Sequence, residues 1–175
     1  MSMYPIASHT MSNSTTTVHQ FRNIPDIYDH LELRIYGRFV VPSTSWRDGF
    51  IYFNDDFATV YNTVYLSGDG NSASSAAFTG QIGSPVIVGP GDSIQSGRFG
   101  ISIVQIFDYK SNSKFKTIKS ITGADGNGSG YLQMRANVFQ RTNPISVIEV
   151  STGNASVYWT QGSRFDLYGI MGEAK

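Results

Sequence analysis

Five carboxylates, Glu32, Asp48, Asp108, Glu149 and Asp166, are far enough apart in the chain to face one another across strands. Such pairs are what a glycoside hydrolase needs, one as acid and one as base or nucleophile. Glu32, Glu149 and Asp166 fall in alternating runs, where an outward, solvated position is the ordinary explanation. The stretch Asp125-Gly126-Asn127-Gly128-Ser129-Gly130 has oxygen-bearing side chains at alternate positions, like the first half of a calcium loop. Such a loop also needs a bidentate Glu at its twelfth position, and here that residue is Ala136. A glycine-rich hairpin turn is the better reading, although Asp55 and Asp56 could in principle be brought beside it. Serine nucleophiles sit at a Gly-x-Ser-x-Gly elbow, and neither Ser129 nor Ser163 has that setting. His9, His19 and His30 have no ligand spacing, and cysteine is absent, so thiolate chemistry and disulfides are excluded. Gly68-Asp69-Gly70-Asn71 lacks the lysine of a phosphate loop. The expectation is a protein without a catalytic constellation, metal or cofactor.

Aromatic side chains are the richer resource: ten Tyr, eleven Phe and two Trp, against a charged fraction of only 15%. Phe39, Phe53, Phe99, Phe107, Phe115 and Phe165 take apolar-face positions and read as core. Tyr36, Trp46, Tyr52, Tyr61, Tyr109, Tyr158 and Trp159 are less clearly buried. Exposed Trp46, Tyr158 and Trp159 could stack on a sugar or anchor an interface. The competing expectation is that they cover sandwich edges. Lys114 and Lys116 share a strand face and could meet an acidic partner, or guard an edge from stray pairing. Thirteen basic and thirteen acidic residues leave a net charge of zero, which disfavours nucleic acid as a partner. No apolar run of about 18 residues suggests a membrane-spanning helix. The first ten residues lack a basic start and an apolar stretch, so no secretory signal is expected.

The elements that must position these residues are strands. Leu31, Leu33, Ile35, Phe39 and Val41 fall on one face of a period-two run, with Glu32, Arg34, Tyr36 and Arg38 on the other. From Arg98 to Phe107 both faces carry apolar residues, which predicts a central strand covered on both sides. Further β-type runs are spaced as in sandwiches and separated by Gly-rich turns such as Ser67–Ala76, Gly89–Asp92 and Asp125–Gly130. The pattern predicts one all-β domain, a single-domain antiparallel β-sandwich of jelly-roll type with about ten strands, over residues 14–175. Residues 1–13 have no strand pattern. They read as a frayed end or as an N-terminal arm hooking a neighbour through Tyr4, Pro5 and Ile6.

The ordered series Phe21-Arg-Asn-Ile24-Pro25-Asp-Ile-Tyr28-Asp-His30-Leu31-Glu-Leu33-Arg34, Phe99 to Tyr109, Phe115-Lys116-Thr117, the Asn127-Gly-Ser-Gly turn and Leu167-Tyr168-Gly169-Ile170 resembles a family of tailed-phage virion structural proteins. The resemblance runs from about Phe21 to Ile170. It implies a non-enzymatic bacteriophage component with a jelly-roll fold, made in the host cytoplasm and assembled into the virion. As a capsid decoration or cement protein of the head, it would form a homotrimer bridging subunits of the major capsid protein. Tyr4, Pro5, Ile6, Trp46 and Arg47 are the expected contacts, the last two in the Pro42–Asp48 loop. As a tail-fibre or receptor-binding tip, it would instead present Trp46, Trp159 and Tyr158 to a cell-surface glycan. The absence of heptads for a stalk tilts the expectation to the head. A free carbohydrate-binding module is a third reading.

Overall fold

The computed structural model describes residues 2–172, and within them the chain is all strand and turn, with no helix. The first strands are β1 (Ser2–Thr10), β2 (Val18–Phe21), β3 (His30–Gly37), β4 (Phe39–Val40) and β5 (Trp46–Phe53). Next come β6 (Tyr61–Gly68), β7 (Ala73–Gln81), β8 (Ser84–Pro90), β9 (Gly100–Phe107) and β10 (Lys116–Asp125). The series closes with β11 (Gly130–Phe139), β12 (Ile148–Ser151), β13 (Tyr158–Trp159) and β14 (Arg164–Met171). Fourteen strands thus replace the ten expected: the nine-residue β1 and β7 stand where an arm and the Ser67–Ala76 loop were expected, and β4 and β13 are two-residue strands.

The larger sheet runs β1-β14-β3-β9-β10-β11-β6-β7, and the smaller runs β2-β12-β5-β8. The strands β1-β14-β3-β9 and β2-β12-β5-β8 by themselves make two four-stranded sheets between which the chain repeatedly crosses. This order is that of a jelly roll. Two hairpins inserted into the roll, β6–β7 and β10–β11, pair edge to edge through β11 and β6 and widen the first sheet to eight strands. The short β4–β13 pair lies apart from both sheets and brings Phe39 opposite Trp159.

The residues read as an arm belong to the domain. Ser2–Thr10 is the first strand of the roll, paired along its length with β14 from Ser2↔Met171 to Thr10↔Arg164. Its alternation is invisible in the sequence because an edge strand buries little, and a register shift between Pro5 and Ala7 interrupts the period. Proline and a bulge are both devices that discourage further pairing at an open edge.

The core fills the space between the sheets. Leu31, Leu33 and Ile35 of β3, Val104 and Ile106 of β9, and Phe165 and Leu167 of β14 face Ile51, Phe53, Ile87, Ile148 and Val150 of the smaller sheet. Phe39, Phe53 and Phe165 are core residues as expected, whereas Phe115 is exposed. Arg38, placed on the outward face by alternation, is buried because the strand breaks after Gly37. Its guanidinium donates to the carbonyls of Gly91, Ile94, Gln95 and Arg98, and so ties down the loop between β8 and β9.

At the open end of the roll, the His19 ring stacks on His9 with centroids 4.0 Å apart and meets Phe21 and Phe165. The stack joins β1 of one sheet to β2 of the other. Burial, and secondarily the charge of His9, hold the His19 pKa down to about 4 from 6.5. A depressed histidine supplies stability that is present above pH 6.5 and is lost as pH falls toward 4, since only the unfolded chain takes up the proton early. Thermal melts should therefore show Tm falling between pH 7 and pH 5, with a clearly shallower fall in His19→Phe. Parallel curves for the two proteins would remove His19 as the cause.

Candidate interaction surfaces

The catalytic and metal candidates are scattered. Asp125–Gly130 closes the β10–β11 hairpin: Asp125 Oδ1 accepts from Asn127 N at 2.7 Å, and Asn127 and Gly128 take positive φ. Asp55 and Asp56 lie at the opposite end of the sandwich, paired with Arg22 and Arg141. No group of three His, Cys, Asp or Glu side chains among the described residues could hold a metal. Glu32 and Glu149 are buried rather than solvated; Glu32 accepts from Arg34 and Gln105, and Glu149 from Gln20. Asp166 is engaged by Ser8 and Arg164, and Asp108 by Lys114. Among the described residues no helix is long and apolar enough to cross a membrane.

The aromatic candidates separate. Trp159 is fully buried, packed on Phe39 at 4.6 Å and on Phe165 at 5.0 Å, so it cannot stack on a ligand. The reason lies in the alternation Val157-Tyr158-Trp159: the odd positions turn inward, leaving Tyr158 half-buried. Trp46 and Arg47 stand in β5 rather than in a loop, half-buried, and line a cleft with Tyr131, Gln133 and Arg135. Tyr4 and Pro5 are exposed on edge strand β1, Tyr4 near Tyr28 at 6.1 Å, while Ile6 packs partly on the core. The structure therefore gives two separate places, the β1 edge and the cleft, to the expected contact residues.

Lys116 is not an interface residue. It is fully buried, and its Nζ donates to the carbonyls of Ser111, Lys114 and Thr142 at 2.6, 2.9 and 2.8 Å. Desolvation lowers its pKa, as burial of a cation must. Lys114, its expected companion, is exposed and pairs with Asp108.

An extended exposed apolar surface lies on the outer face of the larger sheet. Strand β9 is interior to its sheet, but only Ser102, Val104 and Ile106 face the core; Ile101 and Ile103 point outward into the open. In the inserted hairpins the apolar phase is the outer one. On β11 the inward side chains are Gln133, Arg135 and Asn137, and the outward ones include Leu132 and Met134. On β6 they are Thr63 and Ser67 inward, Val64 and Leu66 outward. Register lines the outward residues into rows: Ile103–Ile121–Met134–Leu66 straight across β9, β10, β11 and β6, flanked by Tyr36–Ile101 and Leu132. The side chains of Tyr36, Val64, Leu66, Ile101, Ile103, Ile121, Leu132 and Met134 are each 41–62% exposed. Together they present on the order of 700 Å², more than the ~300–600 Å² that monomers usually leave contiguous.

Compared with known proteins, the chain matches no protein-family model, no curated protein and no solved structure.

Removing the Lys116 ammonium would strand three carbonyls in the wall between the β9–β10 loop and Thr142. Lys116→Met should cost about 3 kcal/mol in denaturant unfolding, and Lys114→Met almost nothing. Equal small losses in both variants would mean that Lys116 is not holding the loop.

Proposed function

We propose that this chain is a non-enzymatic structural subunit of a bacteriophage particle, a decoration protein of the head that trimerises and braces the major capsid protein. The observation that carries this reading is the apolar outer face of the eight-stranded sheet. Its central row contains no charged side chain, Lys119 stands beside that row between Gln105 and Ala136, and the whole chain has no net charge. A neutral apolar surface is best covered by another copy of itself, since subunits of homo-oligomers share their most apolar faces. Around a threefold axis each copy would divide this face between two neighbours, so that three such faces close on one another. The resemblance to tailed-phage virion proteins supports the particle setting, and the jelly-roll order is in keeping with it.

In this reading the outer face makes the trimer, leaving the β1 edge with Tyr4 and Pro5 free to touch the capsid. Three copies held together raise the effective concentration of each capsid contact once the first has formed. The alternative, a receptor-binding tip on the tail, differs in where the chain sits in the particle.

Light scattering on the purified chain should give the mass of three copies. Leu66→Lys with Met134→Lys should yield a folded monomer at about 10 μM, because each lysine would be forced into an apolar contact. A wild-type monomer at that concentration would overturn the assembly role of this face. Antibody labelling of virions should decorate the head; label confined to the tail tip would favour the receptor-binding alternative.

A further inference from the structure

The cleft beside Trp46 has a second use that the assembly reading does not need. It lies where the inserted hairpins carry the larger sheet past β8, the edge of the smaller one, which packs across β10 and covers the inner faces of β11 and β6 only in part. Trp46, Arg47 and Asp48 of β5 form the facing wall, and a cavity of about 250 Å³ lies between. This is enough for one small ring and too little for a helix or a folded segment.

Its lining combines flat apolar surfaces with fixed planar polar groups. Trp46 and Tyr131 meet at 6.2 Å with their planes 45° apart, and Tyr65 and Phe78 stack at 6.1 Å. Between the aromatic pairs stands Arg135, nearly inaccessible, whose Nη2 donates to Asp48 Oδ1 and whose Nε donates to Gln133 Oε1, both at 2.6 Å. The guanidinium also lies over the Tyr65 ring. Arg135 Nη1 and Arg47 Nε are left without acceptors, although a buried donor ordinarily has one. A polar cluster of this kind on a sheet's inner face serves folding poorly, since apolar residues there would cost less. It does serve a ligand that offers oxygen atoms around an apolar face.

We infer that this cleft binds a pyranose ring of a neutral or weakly acidic glycan. The ring's C–H face would lie on Trp46 or Tyr131. Its hydroxyls would exchange hydrogen bonds with Asp48, Gln133 and the arginines. Such a ring is the right chemistry for several reasons. Its faces are apolar and its rim is not. Asp48 cancels Arg135, so only Arg47 remains as net charge, too little to select a phosphate backbone. Small-molecule sites are concave and largely apolar, with a few placed polar groups, as this one is.

The chain has two tryptophans, one in the cleft and one fully buried, and this makes the test internally controlled. In a ¹H–¹⁵N spectrum the two indole N–H signals are assigned with Trp46→Phe. The protein is then titrated with glucose, galactose, mannose, N-acetylglucosamine, glucuronic acid, maltose, cellobiose and lactose, each to about 50 mM, which fills a site of millimolar affinity. At least one probe should move the Trp46 signal saturably while the Trp159 signal stays in place. For that probe Tyr131→Ala should weaken binding about tenfold, with the Trp159 signal unchanged as proof of an intact core. No saturable movement with any probe would overturn the proposal, as would equal movement of both signals or unaltered affinity in folded Tyr131→Ala. Since Trp46 is not among the apolar rows of the outer face, the result is independent of whether the chain trimerises there.

Discussion

The packing of Trp159 against Phe39 is the contact on which the rest of the molecule depends. Three glycines from three strands make room for it: a Cβ on Gly37 would lie 2.9 Å from Trp159, one on Gly49 2.8 Å from Ile87 and 3.1 Å from Trp159, and one on Gly89 2.7 Å from Phe39. These glycines come from β3 in the larger sheet and from β5 and β8 in the smaller, so the aromatic pair rests directly on the backbone of both layers. Carbon atoms do not approach that closely, and any side chain at these positions would push the wedge out. The wedge also explains Arg38. Phe39 turns inward immediately after the break in β3, which draws Arg38 into the interior, where the four carbonyls of the β8–β9 loop provide the acceptors its guanidinium requires.

Outside that socket, the molecule has two kinds of sheet. The four strands β1, β14, β3 and β9 bury Leu, Ile, Val and Phe against the smaller sheet, as a sandwich does. The added strands β10, β11, β6 and β7 turn increasingly polar on their inner side: Ser120 and Thr122, then Gln133, Arg135 and Asn137, then Thr63 and Ser67. These residues satisfy one another in part, as Thr63 does by donating to Asn137 Oδ1 at 2.5 Å. Ile118, Phe139 and Tyr61 of these strands still reach the core, whereas Ile121, Leu132, Met134, Val64 and Leu66 point outward. The hairpins are thus folded by their ladders and by the edge of the roll they extend, while their outward apolar residues remain available to a neighbour.

Legibility in the sequence followed burial. The alternation of Leu31, Leu33 and Ile35 identifies a half-buried strand because one face is covered by the other sheet and the other is wet, and the strand is where it should be. Alternation shows that two faces differ; it does not show which of them is inside. For β11 and β6 the apolar phase is the outer one, and for β9 two apolar faces looked like double coverage when one was simply uncovered. Edge strand β1 has no signal at all, because neither face is deep enough to select residue types. Trp159 resembles an exposed aromatic because it adjoins the polar Tyr158–Thr160 stretch, and only the distant Gly37, Gly49 and Gly89 reveal the socket. Of the cleft, Trp46 and Arg47 were visible by type, whereas Tyr65, Tyr131, Gln133 and Arg135 join them through strand pairings separated by many residues. A glimpse of it was available in the alternation of Gln133, Arg135 and Asn137 with apolar neighbours, which is unusual for strands so close to a core.

One further property follows from the outermost ladder. Ser2 lies opposite Met171, so the two ends of the described chain emerge side by side from the same corner of the roll, on a pair of antiparallel strands. Tension that pulled those ends apart would load the β1–β14 rungs one after another, like a zipper, and β1 would peel away at low force while the Trp159 socket stayed shut. Tension applied to both ends in the same direction would bear on no rung in particular. The fold is therefore mechanically soft toward forces that draw Ser2 and Met171 apart.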